Sequence, residues 1–226
     1  MGIGTGDAVV STLGERPGQE FVVVGDIVNS KPRRGPCCHP ISPVLQVTRS
    51  PRQDAMISSV GSSIDLLVPS AHPIVGEWYD TTLAAADGMP PHVTLLWPWV
   101  SSPTALTRLD EVLAKAEPFE VVFSNTGRFP GVAYLAPEPR RPLLDLMRII
   151  CAAFPDMPPY GGELDHEPVP HLTAAKGDDE AFLDEIDMTL RHRLREPLTV
   201  RVDRISVSAK GVAPDGRWGV VREVQL

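Results

Sequence analysis

The sequence predicts an α+β fold built from two equivalent lobes packed about a pseudo-twofold axis. Two observations carry that expectation. The string Pro91-His92-Val93-Thr94-Leu95 returns as Pro170-His171-Leu172-Thr173-Ala174, with His171 79 positions after His92 and Thr173 the same distance after Thr94. The same offset carries Phe119, Val121 and Phe123 onto Leu198, Val200 and Val202, although the intervening helical segments do not keep it residue by residue. The repeating frame is a motif strand, a helix and an alternating strand. Two such frames bring position 92 of one lobe to face position 171 of the other.

Residues 1–55 are rich in Gly and Pro, carry the basic cluster Lys31, Arg33 and Arg34, and show no sustained helical period. They read as a poorly ordered extension, with at most a short strand at 21–24, ahead of a folded domain spanning 56–226. In that domain a strand is expected over 64–68. A helix follows over 74–86 with Trp78 on its buried side, stopped by Pro90 and Pro91 before an extended run at 93–97. A helix over 103–116 places Leu106, Leu109, Val112 and Leu113 on one face, with Pro103 tolerated in its first turn. Strands at 119–123 and 132–135 and a helix over 141–154 complete the first half. The second half has an extended run at 169–174 and a helix over 178–195, marked by Phe182, Ile186, Leu190 and Leu194. Strands at 198–208 and 218–224 are joined through Asp215-Gly216, a dipeptide suited to a tight hairpin turn.

Composition narrows the function classes. The 226 residues are enough for a sizeable core, and the 24 prolines and 18 glycines indicate many turns. A formal net charge of -8 disfavours a broad nucleic-acid footprint or wide contact with anionic membranes. A small phosphorylated ligand or a single nucleic-acid end still fits, because a short pocket can be locally positive. The three cysteines, Cys37, Cys38 and Cys151, build no disulfide framework. Cys151 sits among Met147, Ile150 and Phe154 at helical spacing and reads as packing. Cys37-Cys38-His39 lacks a second ligand pair at zinc-site spacing, and Glu163, Asp165 and Glu167 are too loosely spaced to compel a metal, so neither metal nor cofactor is expected. No segment reaches the ~20 apolar residues that cross a bilayer. Residues 1–7 lack both the basic region and the apolar run of a secretory signal, so the expected location is cytoplasmic, without a membrane partner. A monomer is the expected state.

The chemistry resides in the paired motifs. Residues i and i+2 of a strand share a face, so His92 lies beside Thr94 and His171 beside Thr173, while Val93, Leu95, Leu172 and Ala174 point into packing. Juxtaposed, the two polar faces offer two imidazoles flanked by two hydroxyls. Imidazole changes charge near neutral pH, which suits one histidine to act as general base and the other as general acid. Displacement at phosphorus needs that pairing, and the threonines can donate to non-bridging oxygens. Which histidine is the base is left open by the residues. His72, His166 and His192 have no such pairing and are expected in solvent-facing or local structural roles.

The motifs resemble those of the two-histidine phosphoesterases, the cyclic phosphodiesterase and 2'-5' RNA ligase superfamily. The resemblance covers about residues 57–226. It includes Pro91-His92-Val93-Thr94-Leu95-Leu96-Trp97-Pro98, Gly127-Arg128-Phe129-Pro130-Gly131-Val132, Pro158-Pro159-Tyr160-Gly161-Gly162 and Val169-Pro170-His171-Leu172-Thr173. It implies a bilobal duplicated fold whose antiparallel sheets line a central cleft, with helices outside. It also implies action on 2',3'-cyclic phosphates or related nucleotide or RNA-end phosphodiesters, or joining of RNA ends through a 2'-5' linkage. By position, His92 and His171 become the acid/base pair, and Thr94 and Thr173 the phosphate donors. Arg128 is a candidate phosphate contact, and Phe129, Tyr160 and Trp97 are candidate base-contacting surfaces. A module that binds a nucleotide or RNA end without turnover is the non-catalytic alternative.

Overall fold

Alternation and proline placement set the order of elements in the computed structural model, which describes residues 61–83, 88–163 and 167–226. The expectations for the 1–55 extension, the boundary at 56, Cys37-Cys38-His39, Asp165 and His166 lie outside the described residues. Strand β1 spans Ser62–Leu67 and helix α1 spans His72–Thr82, after a short 3₁₀ turn at Pro69–Ala71. Strand β2 covers His92–Trp99 and α2 covers Pro103–Leu113. Strands β3 (Phe119–Phe129) and β4 (Val132–Glu138) form a hairpin before α3 (Arg140–Ala153). A 3₁₀ turn at Pro159–Gly162 leads to β5 (Leu172–Lys176) and α4 (Glu180–Arg193). Strands β6 (Leu198–Val202), β7 (Arg204–Ala209) and β8 (Gly219–Gln225) finish the chain.

Helix starts follow capping chemistry. Ser102 accepts a hydrogen bond from the Ala105 amide at 3.1 Å, ahead of Pro103 at the first position of α2. Asp179 accepts from the amides of Ala181 and Phe182 at 3.0 and 3.1 Å and starts α4. The buried stripe of α4 begins at Leu183 and continues through Ile186 and Leu190, whereas Phe182, expected on that stripe, is exposed. Leu183, Ile186 and Leu190 stand at i, i+3 and i+7 on one helix face, and docking of that face on the core turns the adjacent Phe182 outward.

Among the described residues, the strands join one antiparallel sheet in the order β6-β3-β4-β5-β2-β1-β7-β8. The two motif strands are its central neighbours, with Val93 opposite Leu172. About that pair, β1 corresponds in place to β4, β7 to β3, and β8 to β6. The fold is thus the expected α+β duplication, a curled antiparallel sheet flanked by helices.

The sheet corrects one part of the repeat. Residues 119–123 and 198–202 are not counterparts in separate lobes; they are hydrogen-bonded neighbours, with Phe119 opposite Val202, Val121 opposite Val200 and Phe123 opposite Leu198. The counterpart of β3 is β7, which pairs with β1 on the far side of the centre. The single strand expected over 198–208 is divided at Asp203 into two strands on opposite sides of the sheet. Alternating apolar residues specify which face is buried but not which strand lies alongside.

The core lies beneath the motif strands. Val93, Leu95, Leu172 and Ala174 are at most 1% exposed and pack in one cluster with Leu109, Leu143, Ile150, Leu183 and Ile186 from the helices. Each large side chain buried this way contributes about 2 kcal/mol. That inward packing leaves His92, Thr94, His171 and Thr173 on the opposite face.

Candidate active site

The antiparallel register at Val93 and Leu172 decides how the four motif residues meet. One residue to either side, His92 lies beside Thr173 and Thr94 beside His171. The histidines are therefore diagonal neighbours, as are the threonines. Diagonal side chains on adjacent strands lie about 7–8 Å apart or less, a spacing that brackets one tetrahedral group. All four line a cleft of about 850 Å³.

Both imidazoles are held in the same way. His92 Nδ1 lies 2.8 Å from the Pro90 carbonyl, and His171 Nδ1 lies 2.7 Å from the Val169 carbonyl. A carbonyl only accepts, so Nδ1 carries the hydrogen in each ring and Nε2 is the atom free for chemistry. Pro91 and Pro170 occupy the intervening positions and restrict the backbone that aims each carbonyl back at its ring. On the first side the Tyr79 hydroxyl, from α1, donates to the Pro90 carbonyl at 2.8 Å and lies 3.2 Å from His92 Nδ1.

The surroundings of the two rings differ. His171 stands edge-on to Phe129 at 5.1 Å between ring centroids and tilted against Tyr134 at 5.3 Å. Its burial pushes its pKa below the usual histidine value, and the nearby Lys176 and His92 charges act in the same direction against the Val169 hydrogen bond. His92 has the buried Asp65 nearby. Burial raises the Asp65 carboxyl above the usual range, opposed first by the His92 charge and then by hydroxyls of Ser63, Ser208 and Thr94. Burial and the Asp65 charge raise Tyr79 and Tyr160 as well.

Phe129, Tyr160 and Trp97 all line the cleft. Trp97 is 45% exposed and meets Tyr160 edge-on at 6.4 Å between centroids, so the two form one aromatic wall. Phe129 stacks on Tyr134 at 4.5 Å and forms the wall beside His171.

Arg128 is a correction. It does not line the cleft; its guanidinium bonds Glu180 and Asp184 of α4, and its Nε donates to the Val132 carbonyl at 3.3 Å. Adjacent strand residues point to opposite faces, so Phe129 on the cleft side puts Arg128 on the helix side. The cleft has a different cation, Lys176 at the end of β5, which sequence reasoning missed along with Tyr79, Tyr134, Ser63 and Asp65. One signal was available for the last two: polar residues at alternate positions of an apolar strand. His72 pairs with Asp80 at 3.0 Å on α1, and Cys151 packs half-buried against the core with its thiol pushed up by burial.

Among the described residues, no group of three or more His, Cys, Asp or Glu side chains is placed to hold a metal, and no helix is long and apolar enough to cross a membrane.

Comparison with solved structures finds the same fold. The apo form of LigT from E. coli aligns at a TM-score of 0.50 and 14% identity, over 74% of this chain and 97% of that one. A structure described as a phosphoesterase aligns at 0.51 and 14%, over 74% and 98%. No curated protein matches the sequence. The family model of the 2'-5' RNA ligase superfamily matches residues 68–211, from the end of β1 past the end of β7 and through both motifs, and the chain belongs to that superfamily.

Proposed function

We propose that the protein is a metal-independent phosphodiesterase that opens a 2',3'-cyclic phosphate, or a related phosphodiester on a nucleotide or RNA end, by paired-histidine acid/base catalysis. The observation that carries this reading is the common tethering of the two rings: each Nδ1 is bonded to a backbone carbonyl, leaving both Nε2 atoms available on one cleft face. One Nε2 takes a proton from water as its oxygen bonds to phosphorus. The other gives a proton to the ribose oxygen as its bond to phosphorus breaks. Thr94 and Thr173 donate to the non-bridging oxygens. Among the described residues lining the cleft, Lys176 is the one lysine, arginine or carboxylate, which matches a singly charged phosphodiester better than a polyphosphate. Trp97 and Tyr160 offer the base an aromatic wall.

The test is hydrolysis of nucleoside 2',3'-cyclic monophosphates with chelator present, by wild type and by folded His92→Ala and His171→Ala. Turnover that falls ~10²–10⁴-fold in each variant is expected. Near-wild-type turnover in either variant removes the paired mechanism. No hydrolysis, together with joining of RNA halves that carry cyclic phosphate and 5'-hydroxyl ends, identifies a ligase instead. Tight binding of a phosphorylated ligand without any turnover identifies a binding module.

A further inference from the structure

The two motif strands carry the same irregularity. Leu95 and Leu96 are both buried in the core, as are Ala174 and Ala175, where the register of β2 on β1 and of β5 on β4 shifts. A bulge of this kind resets the strand alternation. Trp97 and Lys176, each five positions after its motif histidine, therefore both return to the cleft face. Their strand neighbours correspond as well. Lys176 stands opposite Val132; the same place on β1 is Ser63, between Ser62 opposite Trp99 and Ile64 opposite Leu96. The halves of the cleft thus share one framework and differ in chemistry: Val132 and Lys176 in one, Ser63 and Trp97 in the other.

The framework accepts a valine at this place, so packing alone does not call for a hydroxyl at position 63. Ser63 is 5% exposed, and its hydroxyl donates to Asp65 Oδ2 at 2.5 Å. That bond uses the one serine hydrogen, so the oxygen presents lone pairs to the cleft it lines. Beside it Trp97 meets Tyr160 edge-on. A planar base leaning on that wall turns one edge toward the sheet, where Ser63 lies at the foot. An N–H on that edge satisfies the serine oxygen. A carbonyl there sets lone pair against lone pair and leaves both without a donor. The Lys176 half offers an ammonium instead, which suits the charge of the phosphodiester.

We propose that Ser63 is a specificity-determining residue: it accepts a hydrogen bond from the base of the bound nucleotide and selects bases with an amino group at that edge, cytosine or adenine, over their keto counterparts, uracil or hypoxanthine. The base then lies on the β1–β2 side of the cleft, and the phosphodiester runs from the histidine pair toward Lys176. This rests on the phosphodiesterase reading, in which the base leans on Trp97 and Tyr160.

The experiment compares kcat/KM of the full chain on the 2',3'-cyclic phosphates of cytidine and uridine, and of adenosine and inosine. Wild type is expected to favour the amino member of each pair ~10-fold. Ser63→Ala, and Ser63→Val, which copies the residue at the equivalent place on β4, are expected to bring both ratios to within about twofold of one. Ser63→Thr keeps the hydroxyl and is expected to keep the preference. A disturbed fold or a displaced histidine lowers both members of a pair alike, so the ratio separates base reading from a structural role. Wild type that does not favour the amino members overturns the proposal, and so does a preference that persists in folded Ser63→Ala and Ser63→Val. Calorimetric titration with 3'-CMP and 3'-UMP keeps the two readings apart. Suppose wild type hydrolyses none of the cyclic phosphates, yet binds 3'-CMP ~10-fold more tightly than 3'-UMP and loses that preference in Ser63→Ala. That result supports the role of Ser63 and rejects the phosphodiesterase reading separately.

Discussion

Each imidazole is anchored through the carbonyl two residues before it, so a short local segment determines both ring orientation and tautomer. On the His92 side the anchor has a further support, because the Tyr79 hydroxyl donates to the same Pro90 carbonyl. Tyr79→Phe keeps the buried ring and deletes that hydroxyl. The expected outcome is a several-fold fall in kcat with little change in KM, as His92 Nε2 loses its aim, while circular dichroism stays unchanged. Thr94→Val and Thr173→Val keep branched side chains of similar volume and each remove one hydroxyl proposed to donate to phosphate. Each is expected to lower kcat/KM ~10²-fold, the usual effect of losing one preorganised donor. Steady-state kinetics on a cyclic phosphate checks all three. The His and Thr residues were readable from sequence because strand alternation alone puts them on one face. Asp65, Tyr79 and Lys176 were not, since each meets the site through strand register or helix docking. Arg128 was misread for a related reason: the Gly127–Gly131 string is adjacent to the cleft, but alternation turns every second side chain away from it.

That string shows how an element holds the site. Gly127 lies opposite Tyr134 in the β3–β4 hairpin, and a Cβ there would overlap the Tyr134 ring. Its missing side chain lets the tyrosine ring lie across the strand, stacked on Phe129 and against His171. Gly131, with φ 72°, closes the hairpin, and its amide donates to Glu180 of α4 at 2.7 Å while Arg128 bonds Glu180 and Asp184. Gly127→Ala must displace Tyr134. It is expected to destabilise the fold by about 1–3 kcal/mol and to lower activity through His171, measured by urea unfolding and kinetics on the same preparation. Removing the α4 cap tests the element without touching the cleft. Asp179→Ala is expected to cost about 1 kcal/mol of stability with kcat nearly unchanged. Helix and strand order was legible from periodicity and prolines. The exposed Phe182 was not, because Phe182 and Leu183 are adjacent apolar residues and docking on the core decides which of them faces inward.

At the scale of the whole molecule, the duplication places two copies of one motif on adjacent central strands and exchanges each repeat's third strand across the sheet. β3 from the first repeat pairs with β4 of the second, and β7 from the second pairs with β1 of the first. The 79-residue offset revealed the duplication, yet it matched Phe119–Phe123 to the wrong strand, because partner choice depends on the whole sheet. That exchange makes the cleft a feature of the complete sheet, so site protonation and global stability are linked. His171 is the clearest case. Burial lowers its pKa from the ordinary histidine value of 6.5, so the folded chain resists a proton that the unfolded chain accepts. As pH falls through about 6.5, the unfolded state binds more protons and gains free energy relative to the folded state. The contribution of His171 to stability is therefore unchanged at higher pH and becomes unfavourable as pH falls below that value. A neutral ring-sized replacement, His171→Phe, removes this proton-linked loss. Urea unfolding of wild type and His171→Phe at pH 8 and pH 5.5 isolates the effect, because surface carboxylates and the remaining histidines are common to both. Wild type is expected to lose more stability between the two pH values than the variant. Equal losses would show that His171 takes up its proton as readily in the folded cleft as in the unfolded chain.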